Sequence, residues 1–175
     1  MKNMDTTDTL APPSDWLLRW PQATQPGAHA LDLACGRGRH LRHLLSLGMS
    51  VTGVDINAEA TAPWRELAEI ITADLENGPW PLPGRQFDLV LVTNYLWRPL
   101  LPAIVQSVAP GGWLIYETFA AGQERIGRPA RPEFLLQPGE LIQACAALRV
   151  VAYEDLYIPG ESPRYVQRIA AVRPV

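Results

Sequence analysis

Short apolar runs that alternate with helix-patterned stretches are the feature that most restricts the fold. The runs occupy 28–34, 49–56, 69–74, 87–93, 112–119, 148–157 and 165–173, and the helical patterns occupy 38–47, 57–65, 96–108 and 138–148. Strands that take turns with helices predict a parallel sheet covered on both faces, because each parallel crossover must travel back along the sheet. The last two runs break the rhythm. Only "IPGESPR" (158–164) separates them, which is too short for a helical crossover, so they should form an antiparallel hairpin.

The chain is 175 residues long and 47% hydrophobic, enough for one core and one domain over 13–175, preceded by an unpatterned arm at 1–12. A short helix bearing Trp16, Leu17 and Trp20 should pack on that domain. Eighteen acidic against 15 basic residues leave a net charge of −3 with no basic block, which argues against gripping a nucleic-acid backbone. Cys35 and Cys145 lack the spacing of a zinc site or a disulfide framework, which suits a reducing cytoplasm. No signal-like or bilayer-length apolar segment is expected. The 17 prolines fall mostly between the periodic segments and mark loops.

The first run continues as "LDLACGRGRH" (31–40). Gly36 and Gly38 let the backbone turn tightly and approach a ligand before a helix starts. A dinucleotide fingerprint would place a third glycine at position 41, which is Leu41. An acid, Asp32, instead precedes the glycines; it would repel a pyrophosphate and suits a ligand with an ammonium group. Asp55, at the tip of the next run, is placed to accept both hydroxyls of a ribose. Asp74 and Leu75 follow the third run and could meet the amino group and flat face of adenine. Ammonium, ribose and adenine are three parts of S-adenosylmethionine.

The set "LDLACGRGRH", "GVDI", "TADL", "FDLVLVTNYL" and "PGGWLIYETF" resembles the class I S-adenosylmethionine-dependent methyltransferases from about Ala28 to the C-terminus. The segment 116–141 is similar to small bacterial members related to the tellurite-resistance type. The resemblance implies a Rossmann-like doubly wound α/β sheet of about seven strands, order 3-2-1-4-5-7-6, with the last strand antiparallel. It also implies S-adenosylmethionine as cofactor and S-adenosylhomocysteine as product. Asp32 and Gly36 would contact the methionine portion, Asp55 the ribose and Asp74 the adenine, in a cofactor set completed by Ala34, Gly38, Ile56, Leu75 and Asn94. Ala34 stands where many members have glycine.

Substrates of open α/β sheets enter at the carboxyl ends of the strands, which places Tyr95 and Trp97 after the fourth run and Tyr116, Glu117 and Phe119 in the fifth. Tyr116 and Glu117 are the nearest candidates for a general base. The segment 122–134, with Arg125, Arg128 and Arg131, has the length of a lid that could attract an anionic acceptor, or of a solvated loop whose arginines pair with surface acids. His40 and His43 lie three apart but lack a third ligand, so no metal is expected. "TNYLW" (93–97) is not the N-P-P-Y sequence of nucleic-acid base amino-methylases. The expected activity is therefore in-line methyl transfer to a small, anionic acceptor. A non-catalytic S-adenosylmethionine or S-adenosylhomocysteine-binding module is the alternative, followed by an RNA methyltransferase and an NAD(P)-dependent oxidoreductase. No motif specifies an oligomeric state or a membrane partner.

Overall fold

The computed structural model describes residues 10–175, so most of the arm expected at 1–12 lies outside the described residues. One seven-stranded sheet runs in the order β3-β2-β1-β4-β5-β7-β6. Its strands are β1 (His29–Leu33), β2 (Ser50–Asp55), β3 (Glu69–Thr72), β4 (Phe87–Thr93), β5 (Val108–Phe119), β6 (Arg149–Ile158) and β7 (Arg164–Val172). The pairs among β1 to β5 are parallel, whereas β7 lies antiparallel to both β5 and β6, as the short connection at 158–164 requires.

The helices are α1 (Asp15–Leu18), α2 (Arg39–Ser46), α3 (Ala58–Thr61), α4 (Leu101–Gln106) and α5 (Glu140–Ala144). Most are shorter than the periodicity predicts. The pattern at 57–65 breaks into α3 and a 3-10 turn over Ala62–Trp64, and the pattern at 96–108 into a 3-10 turn over Arg98–Leu100 followed by α4. Pro63, Pro99 and Pro102 explain the breaks: each lacks an N–H and restricts the residue before it, so each starts a new turn instead of extending one. Conversely β5 begins earlier than the apolar run, at Val108, with its pairing shifted between Phe87 and Leu89.

Alternation along the strands separates two cores. Leu31, Leu33, Val90, Val92, Leu114 and Tyr116 pack with Ile104 and Leu141 on the α4/α5 face. Ala30, Leu89, Leu91 and Ile115 pack with Trp16, Leu17, Leu41 and Leu44 on the α1/α2 face. Trp16 is buried and donates its indole N–H to the Ile169 carbonyl at 3.1 Å, so the N-terminal helix does pack on the domain. Trp20 lies beyond α1 and meets Trp16 edge-on at 5.5 Å. Among the described residues no helix is long and apolar enough to cross a membrane.

Candidate cofactor and acceptor site

The carboxyl ends of the parallel strands open onto three adjoining clefts. The first, of about 310 Å³, is walled by Ala34, Asp55, Ile56, Ala73, Asp74, Leu75, Glu76, Asn77 and Tyr95. The second, of about 530 Å³, is walled by Leu10, Ala11, Ala34, Cys35, Gly36, Arg37, Arg39, His40, Thr93 and Asn94. A third, of about 290 Å³, lies among Glu76, Asn94, Tyr95, Leu96, Thr118, Phe119, Pro129 and Phe134. Ala34 joins the first to the second, Asn94 the second to the third, and Tyr95 the third to the first. The clefts therefore converge on the loops that leave β1 and β4.

Those two loops hold the two non-glycine residues of positive φ among the described residues, Ala34 (φ 55°) and Asn94 (φ 55°). Such backbone costs on the order of 1–3 kcal/mol per residue and persists only where surrounding contacts impose it. Here the sheet ladder imposes it, because Cys35 donates its N–H to Val54 O and Asn94 donates to Glu117 O, each at 3.0 Å.

Asp32 lies on β1, and one of its carboxylate oxygens has no hydrogen-bond partner. It is 1% exposed, and its pKa is pushed up to about 8, chiefly by burial and also by Asp55, against the opposing charge of Arg39. A buried acid with an unmet acceptor matches a cationic donor at the glycine loop. Asp55, at the end of β2, accepts the Gly36 N–H at 2.7 Å and the Asn57 N–H at 2.9 Å, which ties the glycine loop to the second strand. Each of its oxygens retains acceptor capacity for a ribose hydroxyl. Beyond it Ile56 is 64% exposed. With buried Leu75, Ile56 gives the first cleft an apolar slot for a flat base. Asp74 accepts the N–H groups of Glu76 and Asn77 through one oxygen and the Asn77 side-chain N–H through the other, and these bonds hold its carboxyl below the usual range.

Gly36 and Gly38 both have positive φ but serve different ends. Gly36 borders the second cleft, and a Cβ there would meet nothing within 4 Å. Gly38 lies outside the three cleft walls, and its Cβ would fall 2.2 Å from Trp64 Nε1, which itself donates to Arg37 O. Gly38 is thus required by packing against Trp64.

Several expected positions occupy other places. Tyr116 faces the α4/α5 core, donates its hydroxyl to Tyr95 O at 2.8 Å, and has its pKa raised by burial. Glu117 points to the opposite face, where it accepts the Ser14 hydroxyl proton and sits 3.4 Å from the Arg168 guanidinium, itself 2% exposed. Both groups are taken up by internal contacts, and neither reaches a cleft as a base. Trp97 also stays outside the three walls and precedes the 3-10 turn at Arg98.

Arg125, Arg128 and Arg131 are exposed and line none of the three clefts. Arg125 faces Glu124 at 3.8 Å, and Arg131 pairs with Glu133. The segment that carries them is held as a closed loop. Ala121 donates to Leu136 O and Leu136 to Phe119 O at its neck, while Gln123, buried, donates to Arg128 O and accepts from Tyr165 N–H. From outside, Arg98 donates to the carbonyls of Glu133 and Leu135 and to the Glu140 carboxylate. What the loop contributes to the third cleft is Pro129 and Phe134.

The walls also include Leu10, Ala11, Thr93, Thr118, Pro129 and Phe134, which sequence reasoning did not single out as site residues. The N-terminal segment reaches the second cleft because Ser14 is clamped: its N–H donates to His40 Nε2 at 3.1 Å while its hydroxyl reaches Glu117. Burial pushes the His40 pKa down to about 3, so the ring is neutral and can accept that N–H. Among the described residues no group of three or more His, Cys, Asp or Glu could hold a metal ion. His29 lies at the far end of β1, against Thr52 and Phe87.

Residues 30–112 match a family model described as a methyltransferase domain. No curated protein matches the sequence. Among solved structures, TehB from Haemophilus influenzae superposes with a TM-score of 0.74 at 19% identity, over 95% of this chain and 64% of that one. The chain thus spans under two thirds of the TehB chain. A SAM-dependent methyltransferase from Methanosarcina mazei gives 0.71 at 15% identity, over 94% and 100% of the two chains. The N-methyltransferase NodS from Bradyrhizobium japonicum gives 0.66 at 20%, over 91% and 93%. At these identities the structural likeness speaks for the fold, and the motif order together with the domain match speaks for the family. Residues 30–112 thus match a methyltransferase domain and sit in the seven-stranded fold that solved methyltransferases share.

Proposed function

We propose that the chain binds S-adenosylmethionine across the first two clefts and transfers its methyl group to a small acceptor in the third. The observation that carries this reading is the buried Asp32 side chain on β1, two residues before the loop begins at Ala34, with an unpartnered oxygen although it lies behind the cleft walls. Asp32 and Gly36 would hold the methionine portion, Asp55 the ribose, and Ile56, Asp74 and Leu75 the adenine. When bound, the cofactor supplies an electrophilic methyl on a sulfonium whose departure leaves a neutral thioether. That leaving group needs no acid, so the protein's work is to align the acceptor with the methyl, and positioning alone can supply most of the rate. Asn94 and Tyr95 stand where the clefts meet and are the side chains available for that alignment.

A volume of about 290 Å³ is at the small end of ligand pockets, which run from about 300 to 1,000 Å³. That size supports a small acceptor over a polymer. An anionic acceptor rests on Arg125, Arg128 and Arg131, and the cleft walls lend it no support. A dinucleotide oxidoreductase is disfavoured by Leu41, which is fully buried in the α1/α2 core at the place a third glycine would take. Calorimetric titration with S-adenosylmethionine, S-adenosylhomocysteine and NAD tests the reading. Both S-adenosyl compounds should bind and NAD should not; NAD binding without S-adenosyl binding would overturn it. Cofactor binding with no transfer to any acceptor would favour the non-catalytic module.

A further inference from the structure

The third cleft has a chemical character of its own, and the choice of acceptor class made from it rests on the methyl-transfer reading. Its body is apolar: Leu96, Phe119, Pro129 and Phe134 enclose it with the ring of Tyr95. Glu76 is the single charged residue in its wall, and it stands where this cleft meets the first. Asp74, two residues away, adds a second negative charge on the same side, and both acids act on Tyr95 to hold its phenol protonated, reinforcing burial. The Tyr95 hydroxyl oxygen is itself buried with no hydrogen-bond partner among the described residues.

Among the described residues no cation lines this wall to offset these charges. Arg98, near the same loop, spends its guanidinium on Glu140 and on two loop carbonyls. Arg131 lies over the Phe134 ring at 5.3 Å but is paired with Glu133. An anion entering this cleft would meet the exposed Glu76 carboxylate at its rim, and their repulsion, though screened by solvent, works against an anion at that end. A cation or neutral amine would find the reverse: a carboxylate, a phenol oxygen with open lone pairs, and aromatic faces that attract ammonium groups.

We propose that the acceptor is a small amine on an aromatic or aliphatic body, held by Phe119 and Phe134 with its nitrogen at the Tyr95, Asn94 and Glu76 corner. The ammonium drawn in by Glu76 would first give one proton to water, and the neutral amine would then form the new N–C bond with its lone pair as the S–C bond breaks, sulfur keeping that electron pair. The product leaves as a methylammonium, which the Glu76 carboxylate stabilises before its proton passes to water. Glu76 is then a specificity residue that draws amines in and turns anions away.

The test uses the full chain saturated with S-adenosylhomocysteine, titrated calorimetrically with 2-phenylethylamine and tryptamine and with the carboxylate of matched size, 3-phenylpropionate. The amines should bind at least tenfold tighter than the carboxylate. Glu76→Gln should shrink that preference by about tenfold, and Phe134→Ala should weaken amines and carboxylate alike. Labelled cofactor should place methyl on the amine nitrogen. Equal or tighter binding of the carboxylate, transfer of methyl to the carboxylate in place of the amines, or binding of none of the three probes would overturn the amine assignment and leave methyl transfer standing. Failure to bind S-adenosylhomocysteine at the outset would instead count against the underlying function.

Discussion

The two halves of the trough are built on different length scales. On the side proposed for the cofactor the named acids sit on or just after the first three strands, and Asp55 bonds to Gly36, 19 residues back on the neighbouring strand's loop, and to Asn57, two residues on. On the acceptor side the wall is a loop fixed from far away: Arg98 to the carbonyls of Glu133 and Leu135, and Gln123 to Tyr165. The acids of the first side are tied between neighbouring strands, whereas the loop of the second is held by bonds that reach 35 to 42 residues along the chain. Damage to the first should therefore act on cofactor affinity, and damage to the second on the acceptor.

The largest effect is expected from Asp55→Ala. It removes the acceptor for two backbone N–H groups and for the ribose, where charge-assisted bonds contribute about 1.5–3 kcal/mol each. The dissociation constant for S-adenosylmethionine should rise tenfold or more by calorimetry; an unchanged value would break the contrast at its strongest point.

Next in size is a pH effect at Asp32. With its pKa pushed up to about 8 by burial, this carboxyl holds its proton in the empty protein at neutral pH, while an ammonium partner favours the carboxylate. Binding should release a proton, and affinity should strengthen as pH rises toward about 8. The same shift makes native Asp32 hold its proton above its ordinary value of 3.8, so its contribution to stability declines as pH rises from about 4 to 8. Titrations in buffers of differing ionisation enthalpy would count the proton, and Asp32→Asn should abolish both dependences.

A smaller and more selective effect is expected from Gln123→Ala. Losing the bonds to Arg128 O and Tyr165 N–H should loosen the loop and destabilise the fold by about 1–3 kcal/mol. The acceptor KM should rise while the cofactor dissociation constant stays within about twofold, a split that thermal unfolding and paired titrations would show. Parallel loss of both affinities would mean that the loop also supports the cofactor side.

The smallest effect belongs to Arg128→Ala. Its side chain is exposed and lines none of the three clefts, so stability should change by no more than about 0.5 kcal/mol and neither affinity should move. A raised acceptor KM would revive the loop as an anion trap.

Strand periodicity, the short 158–164 connection and the resemblance together specified the sheet, because alternation and loop length are local properties that the backbone must obey. Of the positions the glycine loop and the strand-end acids single out, Ala34, Gly36, Asp55, Ile56, Asp74 and Leu75 line the first two clefts, whereas Asp32 and Gly38 lie outside their walls. Sequence could not decide which way side chains point once chain segments meet. Tyr116 and Glu117 are adjacent on one strand, and the pleat sends one into the α4/α5 core and the other to Ser14 and Arg168. The arginines of 122–134 suggest a substrate lure, but the long-range anchors Arg98 and Gln123 leave the backbone as a wall and turn Phe134 and Pro129 to the cleft. By itself the sequence determined where the strands fall and which acids stand on or just after the first three, since each follows from a local pattern of side chains. The shape and charge of the third cleft were decided by tertiary structure alone, since they depend on which distant groups compete for each charge.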